Sequence, residues 1–213
     1  MSSWFSFQSK GWFAAVLAAL FTALILSAGL AACSRPDTTP WKLTDVSGHL
    51  PDLDFKLTDD TGKPVTGQSF LGQTTLVYFG YTHCPDVCPT TMATIASALR
   101  ELPAAQASQV QVVFVSTDPT RDTPAVLKAW LGQYNPAFIG LTGSFAVIQK
   151  AAASLGIDIE APVKQADGSY TVTHGAEVIA FDTQGKGYLV YTAGTTVDQF
   201  THDIPLILAG RDG

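Results

Sequence analysis

A buried strand, a tight turn and a helix follow one another near the centre of the sequence, and the turn carries two cysteines. The run TTLVYFGY (74–81) is mostly apolar, which predicts the strand. From Thr90 onward, apolar residues recur at helical spacing, namely Met92, Ile95, Leu99 and Leu102. Cys84 and Cys88 therefore lie at the start of a helix, where unpaired backbone N–H groups are expected to favour a thiolate.

Strands and helices alternate through the rest of the folded part. Further strands are predicted over VQVVFVSTD (110–118), TVTHGAEVIAFD (171–182) and GYLVYTAG (187–194). Further helices are predicted around 126–134 and 145–155, and from Val197 to about Pro205, which should kink or stop the last one. The segment FKLTDDTGKPVTGQSFLG (55–72) predicts an N-terminal β-hairpin, and Gly185 predicts a second tight turn.

The order of these elements, β-α-β-α-α-β-β-α, predicts the fold class. It indicates an α/β, thioredoxin-like fold in which helices flank a central mixed sheet. The N-terminal β-hairpin places the fold in the peroxiredoxin-like branch. We assign this domain to residues 50–213.

The first 32 residues are typical of an export signal rather than of a fold. They contain Lys10 followed by a long apolar run that ends in LAAC (30–33). This pattern predicts a bacterial lipoprotein signal peptide over 1–32, a lipid on Cys33, and a polar tethering linker over 33–49. An uncleaved transmembrane anchor is the alternative, since the apolar run is about as long as the ~20 residues that span a bilayer. Both interpretations place the domain in the bacterial cell envelope, on the extracytoplasmic side of a membrane.

The charge and the cysteine count limit the possible partners. The formal net charge is −6 and the sequence contains no basic run, so nucleic acid is not an expected partner. If Cys33 carries a lipid, Cys84 and Cys88 are the two cysteines that remain. An oxidising compartment would join them in a disulfide unless something keeps them reduced.

Several functions compete for this cysteine pair. A structural disulfide stabilises most when it closes a long loop, whereas this pair would close a very short one. The peroxidase motif Pro-x-x-x-Thr-x-x-Cys is absent around both cysteines. A thioredoxin-type oxidoreductase expects Cys-x-x-Cys and a proline in a later strand, whereas this pair has one extra residue and 170–181 contains no proline.

His174 makes a metal site the strongest alternative. We expect the strand that carries it to lie beside the strand that ends at Cys84, so that the imidazole approaches both sulfurs. Two thiolates and one imidazole form a soft, three-coordinate set that suits Cu(I) and can also hold Cu(II). Zinc would require a fourth ligand, and none is obvious. A lone histidine in a strand is more often an ordinary polar residue, so the residues alone leave that alternative open.

Four ordered motifs resemble one known family. GYTHCPDVCP, STDPTRDTP, GLTGS and YTVTHGAEVIAFD look like the Sco/SenC family of copper-binding assembly proteins for cytochrome c oxidase, over roughly 50–208. The resemblance implies one copper ion per chain, held by Cys84, Cys88 and His174. It also implies that the protein delivers copper to the CuA site of oxidase subunit II, or keeps the cysteines of that site reduced.

Further partners follow from the resemblance. It implies an upstream copper donor, a periplasmic thiol reductase that keeps Cys84 and Cys88 reduced, and a membrane reached through the lipid anchor. The expected protein is a binding and transfer module without turnover of its own. The alternative is a thiol-disulfide oxidoreductase acting on subunit II or on other exported proteins. Ser34 after the lipidated position favours the outer membrane, whereas an oxidase partner favours the inner one, and the sequence leaves both open.

Four polar residues are candidates for supporting roles around the site. His83 adjoins Cys84 and is either a rival ligand or a group that orients the thiolate. Asp86 lies between the cysteines, where it would raise their pKa or meet a positive charge on a partner. The family carries an Asp-x-x-x-Asp pair, matched by Asp118 and Asp122, which is implied to support copper exchange or redox behaviour. The alternative is that these two carboxylates only shape a turn and cap a helix.

Overall fold

Apolar and β-branched runs build the centre of an eight-stranded mixed sheet. The computed structural model describes residues 41–166 and 170–210. The strands are β1 (Thr44–Asp45), β2 (Lys56–Asp59), β3 (Pro64–Thr66), β4 (Thr74–Gly80), β5 (Val110–Ser116), β6 (Ile139–Thr142), β7 (Val163–Lys164), β8 (Tyr170–Thr171), β9 (Val178–Phe181) and β10 (Gly187–Tyr191). The helices are α1 (Val87–Glu101), α2 (Ala104–Ala107), α3 (Pro124–Leu131), α4 (Phe145–Ser154) and α5 (Val197–Leu208), and a 3-10 helix covers Gly67–Phe70.

The strand order in the sheet is β1-β10-β9-β4-β5-β6-β2-β3. Strands β4, β5 and β6 are parallel, and the remaining pairs of this sheet are antiparallel. Every residue of β4 is buried, because helices cover both faces of the sheet at its centre. The predicted thioredoxin-like α/β class is therefore confirmed, including the N-terminal hairpin formed by β2 and β3.

The two faces of the sheet hold separate apolar cores. Leu76 and Tyr78 of β4 point to one face, where they join buried side chains of α1, α3 and α5. Val77 and Phe79 point to the other face and join the core that includes Ile148 of α4. This alternation follows from the period of two along a strand. Apolar burial of this kind on both faces fixes the register of the central strands.

The register brings three chain segments to one edge of the sheet. Gly80 at the end of β4 pairs with Ser116 at the end of β5, so both strands end together. Strand β9 runs antiparallel to β4, and its first residue, Val178, pairs with Tyr78. The turn after β4, the turn after β5 and the loop before β9 therefore meet at this edge. Open α/β sheets place their sites at the carboxyl ends of the parallel strands.

Two predicted elements differ from the structure. Residues 171–182 do not form one strand: β8 ends at Thr171, β9 begins at Val178, and His174 lies on the loop between them. The last helix does not stop at Pro205 but continues to Leu208. Burial of Ile204 and Ile207 on one face of α5 holds the chain helical past the proline. Tertiary packing thus overrides the local preference of the proline.

The N-terminal part of the described chain belongs to the sheet rather than to a free linker. Trp41 is buried, and its ring packs edge to face against Tyr188 at a centroid distance of 5.8 Å. Strand β1 pairs with β10, so the part of the expected linker (33–49) that the structure describes already belongs to the folded domain from Trp41 onward. The predicted signal peptide and the predicted lipidation site at Cys33 lie outside the described residues. Among the residues described, no helix combines the length and apolar character needed to cross a membrane.

Candidate metal centre

The two cysteines lie on the turn that joins β4 to α1. The backbone N–H of Cys84 donates to the carbonyl of Tyr81 at 3.2 Å, which closes the turn. Helix α1 begins at Val87, so Cys88 is its second residue and its backbone N–H donates to the sulfur of Cys84 at 3.5 Å. Both cysteines are buried, Cys88 completely, and their thiols are not joined in a disulfide. The sequence predicted this strand-turn-helix arrangement correctly.

His174 reaches the cysteines from the loop before β9. Its Nε2 lies 3.7 Å from the sulfur of Cys84 and 3.8 Å from the sulfur of Cys88. Its Nδ1 lies 2.6 Å from the carbonyl oxygen of Gly175. Because a carbonyl oxygen only accepts hydrogen bonds, Nδ1 carries the hydrogen and the lone pair of Nε2 faces the two sulfurs. This is the tautomer that an imidazole needs in order to bind a metal through Nε2.

The three donor atoms are close enough to share one cation. The two sulfurs and the ring nitrogen all lie within 4.8 Å of one another, and no second group of this kind is found in the described part of the chain. Bonds from zinc to sulfur and to nitrogen are about 2.3 and 2.0 Å long, so donors around one ion lie about 3.5–4 Å apart. The two separations between the ring nitrogen and the sulfurs, 3.7 and 3.8 Å, match that requirement. Two sulfurs and one imidazole also match the ligands that Cu(I) prefers.

Burial dominates the electrostatics at Cys88. It raises the pKa of this thiol to about 12, although the hydroxyl of Tyr78 opposes the shift by donating to the sulfur at 3.5 Å. The start of α1 was expected to favour a thiolate, and for Cys88 that expectation is wrong because the group is wholly buried. Burial, and then the neighbouring Cys88, raise the pKa of Tyr78 as well, so its hydroxyl keeps its proton and remains a donor.

The contact made by Tyr78 was missed by the sequence analysis. An aromatic residue in an apolar strand is indistinguishable from ordinary core packing, and only the register shows that its hydroxyl reaches Cys88. The ring of Tyr81 lies edge to face against the ring of His174, with 5.3 Å between centroids. The ring of Tyr78 also lies edge to face against this imidazole, with 6.4 Å between centroids, so two aromatic rings help to orient it.

Gly80 allows the helix to come close to the sheet. A Cβ atom at this position would lie 2.8 Å from the sulfur of Cys88 and 2.7 Å from the ring of Tyr78. Both distances are far below ordinary contact, so a side chain here would displace the thiol. A glycine at the end of a buried strand is the sequence feature that would have indicated this close approach.

Asp122 ties the turn after β5 to the cysteine turn. Its carboxylate is fully buried and accepts hydrogen bonds from the backbone N–H of Thr82 at 3.0 Å, from the hydroxyl of Thr82 at 2.6 Å and from the hydroxyl of Ser116 at 2.7 Å. The residue that caps α3 is Thr123, whose hydroxyl accepts from the N–H of Val126 at 3.4 Å. The interpretation of Asp122 as the helix cap is therefore wrong, because its oxygens are used by the cysteine turn.

Asp118 ties the same turn to the hairpin that precedes His174. Its fully buried carboxylate accepts a hydrogen bond from the hydroxyl of Tyr170 at 3.1 Å and forms an ion pair with Arg121. The guanidinium carbon of Arg121 lies 3.8 Å from the centre of the Tyr170 ring. Asp122 thus contacts the cysteine turn and Asp118 contacts the hairpin before His174, although neither belongs to the three-donor cluster.

The other two candidates lie at the rim. The side chain of His83 is 55% exposed, and its Nδ1 lies 3.0 Å from the hydroxyl of Thr82 and 3.9 Å from Asp122. His83 is outside the cluster formed by Cys84, Cys88 and His174. Asp86 is exposed and precedes α1 without a side-chain capping bond.

Comparison with known proteins identifies one family. The sequence model described as SCO1/SenC matches residues 47–209. A candidate copper-binding protein of Stutzerimonas stutzeri is 33% identical over 156 residues, which cover 72% of this chain and 75% of that protein. The mitochondrial protein SCO2 of Saccharomyces cerevisiae is 36% identical over 134 residues, or 62% of this chain and 44% of its own length. This chain thus spans about half the length of its mitochondrial relatives.

Solved structures agree with the sequence comparisons. The copper-bound ScoI of Bradyrhizobium japonicum superposes with a TM-score of 0.65 at 38% identity, covering 72% of this chain and 97% of that one. The copper-bound ScoI of Arabidopsis thaliana gives a TM-score of 0.69 at 30% identity, with coverages of 75% and 99%. A SCO1/SenC family lipoprotein of Bacillus anthracis gives 0.62 at 25% identity, with coverages of 82% and 99%.

Proposed function

Because this chain belongs to the SCO1/SenC family, we propose that it binds one copper ion through Cys84, Cys88 and His174. The observation that carries the proposal is the position of the His174 Nε2, within 3.8 Å of both sulfurs and with its lone pair towards them. Two of the relatives with similar structures are described as copper-bound. The donor set is soft, which suits Cu(I) and distinguishes it from sites for hard cations.

The residues contribute to capture in different ways. A thiol binds a metal as its thiolate, so Cys88 releases its proton when copper arrives. The hydroxyl of Tyr78 then donates to a charged sulfur, and hydrogen bonds to charged groups are the stronger ones. His174 needs no proton loss, because the carbonyl of Gly175 already holds its Nδ1–H. Transfer to a partner reverses these steps by exchanging one donor at a time.

The partner that suits this cargo is a protein with its own pair of cysteines. From the resemblance, that partner is subunit II of cytochrome c oxidase, whose CuA site receives the copper. A disulfide between Cys84 and Cys88 would remove both sulfur ligands, so a thiol reductase and an upstream copper donor complete the set of partners. Assembly of the oxidase copper site is thus the role that we assign to the chain.

The envelope location follows from the N-terminal pattern. We infer that residues 1–32 are removed, that Cys33 carries the lipid, and that the domain stands on the extracytoplasmic side of the membrane. The relative from Bacillus anthracis is described as a lipoprotein, which supports this inference. Mass spectrometry of the protein from the membrane fraction tests this inference, since we expect a chain that begins at Cys33 and carries a lipid. A chain that keeps residues 1–32 would favour the uncleaved anchor.

One observation favours a second candidate function. The sulfurs of Cys84 and Cys88 lie within 4.8 Å of one another and are unbonded, as in a dithiol that reduces a partner disulfide. In that reaction the two thiols would give two electrons and two protons to the partner and close a disulfide of their own. The raised pKa of Cys88 disfavours it as the attacking group, so Cys84 would attack. A reduction potential typical of a stable, unreactive disulfide would exclude this function.

A copper titration tests the main proposal. The reduced full chain in detergent is titrated with Cu(I) without oxygen, and X-ray absorption then identifies the ligands. We expect one copper per chain with two sulfur donors and one nitrogen donor. In His174→Ala the nitrogen donor should be lost, whereas His49→Ala, which removes an exposed histidine, should change nothing. Unchanged affinity and an unchanged spectrum in His174→Ala would overturn the ligand set.

A further inference from the structure

Tyr170 stands at the base of the loop that carries His174. Strands β7 and β8 form a two-stranded hairpin that is separate from the main sheet, and Tyr170 is the first residue of β8. His174 follows four residues later, and residues 172–177 form no strand before β9 begins. The position of the imidazole therefore depends on side-chain contacts that hold this segment against the rest of the domain.

The contacts of Tyr170 come from the turn after β5. Its hydroxyl donates to Asp118 at 3.1 Å, and the guanidinium of Arg121 lies over its ring at 3.8 Å. Arg121 also pairs with the carboxylate of Asp118, so the three side chains contact one another in a closed set. Burial, and then the hydrogen bond to Asp118, raise the pKa of Tyr170, which keeps the proton on its hydroxyl.

We propose that Tyr170, Asp118 and Arg121 form a latch that positions His174 over the two cysteines. This tyrosine latch rests on the proposed copper function and deepens it. None of its members touches the donor atoms, so they act through the loop and are positioning residues. The same turn holds the cysteine side through Asp122 and Thr82, so both sides of the site are fixed to one segment of five residues, 118–122.

The contribution of the latch is limited by a second anchor. Val172 lies between Tyr170 and His174 and is buried in the core that includes α1. Loss of the latch would therefore loosen the loop without releasing it. We expect an effect of the size of one hydrogen bond, which is about fivefold in an equilibrium constant.

The first measurement uses Tyr170→Phe, which removes only the hydroxyl. Cu(I) affinity of the reduced full chain is measured by competition with a coloured Cu(I) chelator. We expect affinity about fivefold weaker than in the parent protein, and a thermal unfolding midpoint about 2–4 °C lower, as the loss of one hydrogen bond predicts. Tyr191→Phe is the matched control, because that buried hydroxyl has no hydrogen-bond partner among the described residues. Affinity equal to that of the parent protein in Tyr170→Phe would overturn the latch.

The second measurement separates positioning from general stability. Tyr170→Phe is combined with His174→Ala, and the same affinity is measured. If the latch acts through His174, the added change should have no further effect in the chain that lacks the imidazole. Equal losses in both backgrounds would show that Tyr170 acts elsewhere and would overturn the proposal.

The nitrogen signature supplies an independent readout. In the Cu(II) form of Tyr170→Phe, the nitrogen hyperfine coupling in electron paramagnetic resonance should weaken, while Tyr191→Phe should match the parent protein. Different outcomes would contradict the latch and the proposed copper function. If His174→Ala binds copper as tightly as the parent protein, the ligand set is wrong. If His174→Ala weakens Cu(I) binding but Tyr170→Phe does not, the ligand set is supported and the latch is contradicted.

Discussion

Cys84 and Cys88 stand on the turn between the central strand β4 and helix α1, whereas His174 stands on a loop between β8 and β9. The cysteine side is held by backbone hydrogen bonds, by complete burial of Cys88 and by the carboxylate of Asp122. The histidine side is held by one carbonyl, by aromatic edges and by the contacts of Tyr170. The sulfur pair is thus part of the domain core, and the nitrogen is added from its periphery.

This difference suits the proposed role of a protein that delivers its copper to a partner. Under that proposal, the two sulfurs in the buried turn would provide most of the binding free energy, and the ligand on the loop would leave first. A partner with a deeper site would then replace the nitrogen before it competes for sulfur. The contrast between a fixed pair and an adjustable third donor can be tested by changing each side separately.

The largest effect is expected from the cysteines. Cys84→Ser or Cys88→Ser should each weaken Cu(I) binding by more than about 100-fold, since a removed ligand should matter more than the outer partners of a metal site. His174→Ala should retain tighter binding than either, because the sulfur pair survives. Competition titrations compare the three variants. A greater loss of Cu(I) affinity in His174→Ala than in Cys88→Ser would show that the histidine, not the cysteine pair, dominates binding.

The next effect is the pH dependence of copper binding. Because burial raises the pKa of Cys88 to about 12, this thiol carries its proton at neutral pH and copper must displace it. Affinity should therefore rise with pH, by about tenfold per unit for each proton released, or about 100-fold over two units. In Cys88→Ser the affinity should rise less steeply with pH, because the proton of Cys88 is no longer there to be released. A flat profile for the parent protein would show that Cys88 is already ionised.

The raised pKa has a separate consequence for folding without copper. The folded pKa of Cys88 lies above its ordinary value of 9.0, so the native state binds this proton more tightly than the unfolded chain does. The stability contributed by the buried thiol is complete below about pH 9 and is lost as the pH rises towards about pH 12. Urea unfolding between these pH values should show a falling free energy of unfolding in the parent protein and a smaller fall in Cys88→Ala.

A smaller effect is expected at the anchor of the cysteine turn. In Asp122→Asn an amide N–H₂ replaces one of two oxygens that accept from Thr82 and Ser116. An unpaired buried group of this kind should lower the free energy of unfolding by about 2 kcal/mol. Asp86→Asn is the matched control at an exposed position and should stay within about 0.5 kcal/mol. Equal losses of unfolding free energy in the two variants would contradict a stabilising role of Asp122 in the cysteine turn.

The smallest effect is expected from Tyr78→Phe. The change removes the hydroxyl that donates to the sulfur of Cys88 and keeps the ring that packs beneath it. Cu(I) affinity should fall about fivefold, and the pKa of Cys88 should rise further. Tyr191→Phe is again the control. Affinity equal to that of the parent protein would mean that the contact at 3.5 Å contributes nothing to the thiolate.

Local pattern was enough to predict the cysteine side. The apolar run of β4 and the helical spacing after Thr90 are properties of neighbouring residues, and they place Cys84 and Cys88 without knowledge of the rest of the fold. The ordered motifs also pointed to His174 and to the aspartate pair. These features depend on spacing along the chain, which a sequence displays directly.

Contacts between distant segments were not predictable in the same way. Residues 171–182 have the composition of one strand, but Thr171 pairs with β7 outside the main sheet, and the chain enters the main sheet only at Val178, after His174. The hydroxyl of Tyr78 and the carboxylate of Asp122 likewise find partners across turns and strands. Such choices depend on packing in three dimensions, which local propensity does not encode.

Because Gly80 has no side chain, the thiol of Cys88 can lie deep against the end of β4. Any larger residue would push the first turn of α1 outward, into water, and the sulfur would become easier to ionise but harder to shield from oxidants. A position with no functional group of its own therefore decides the balance between a reactive thiol and a protected one.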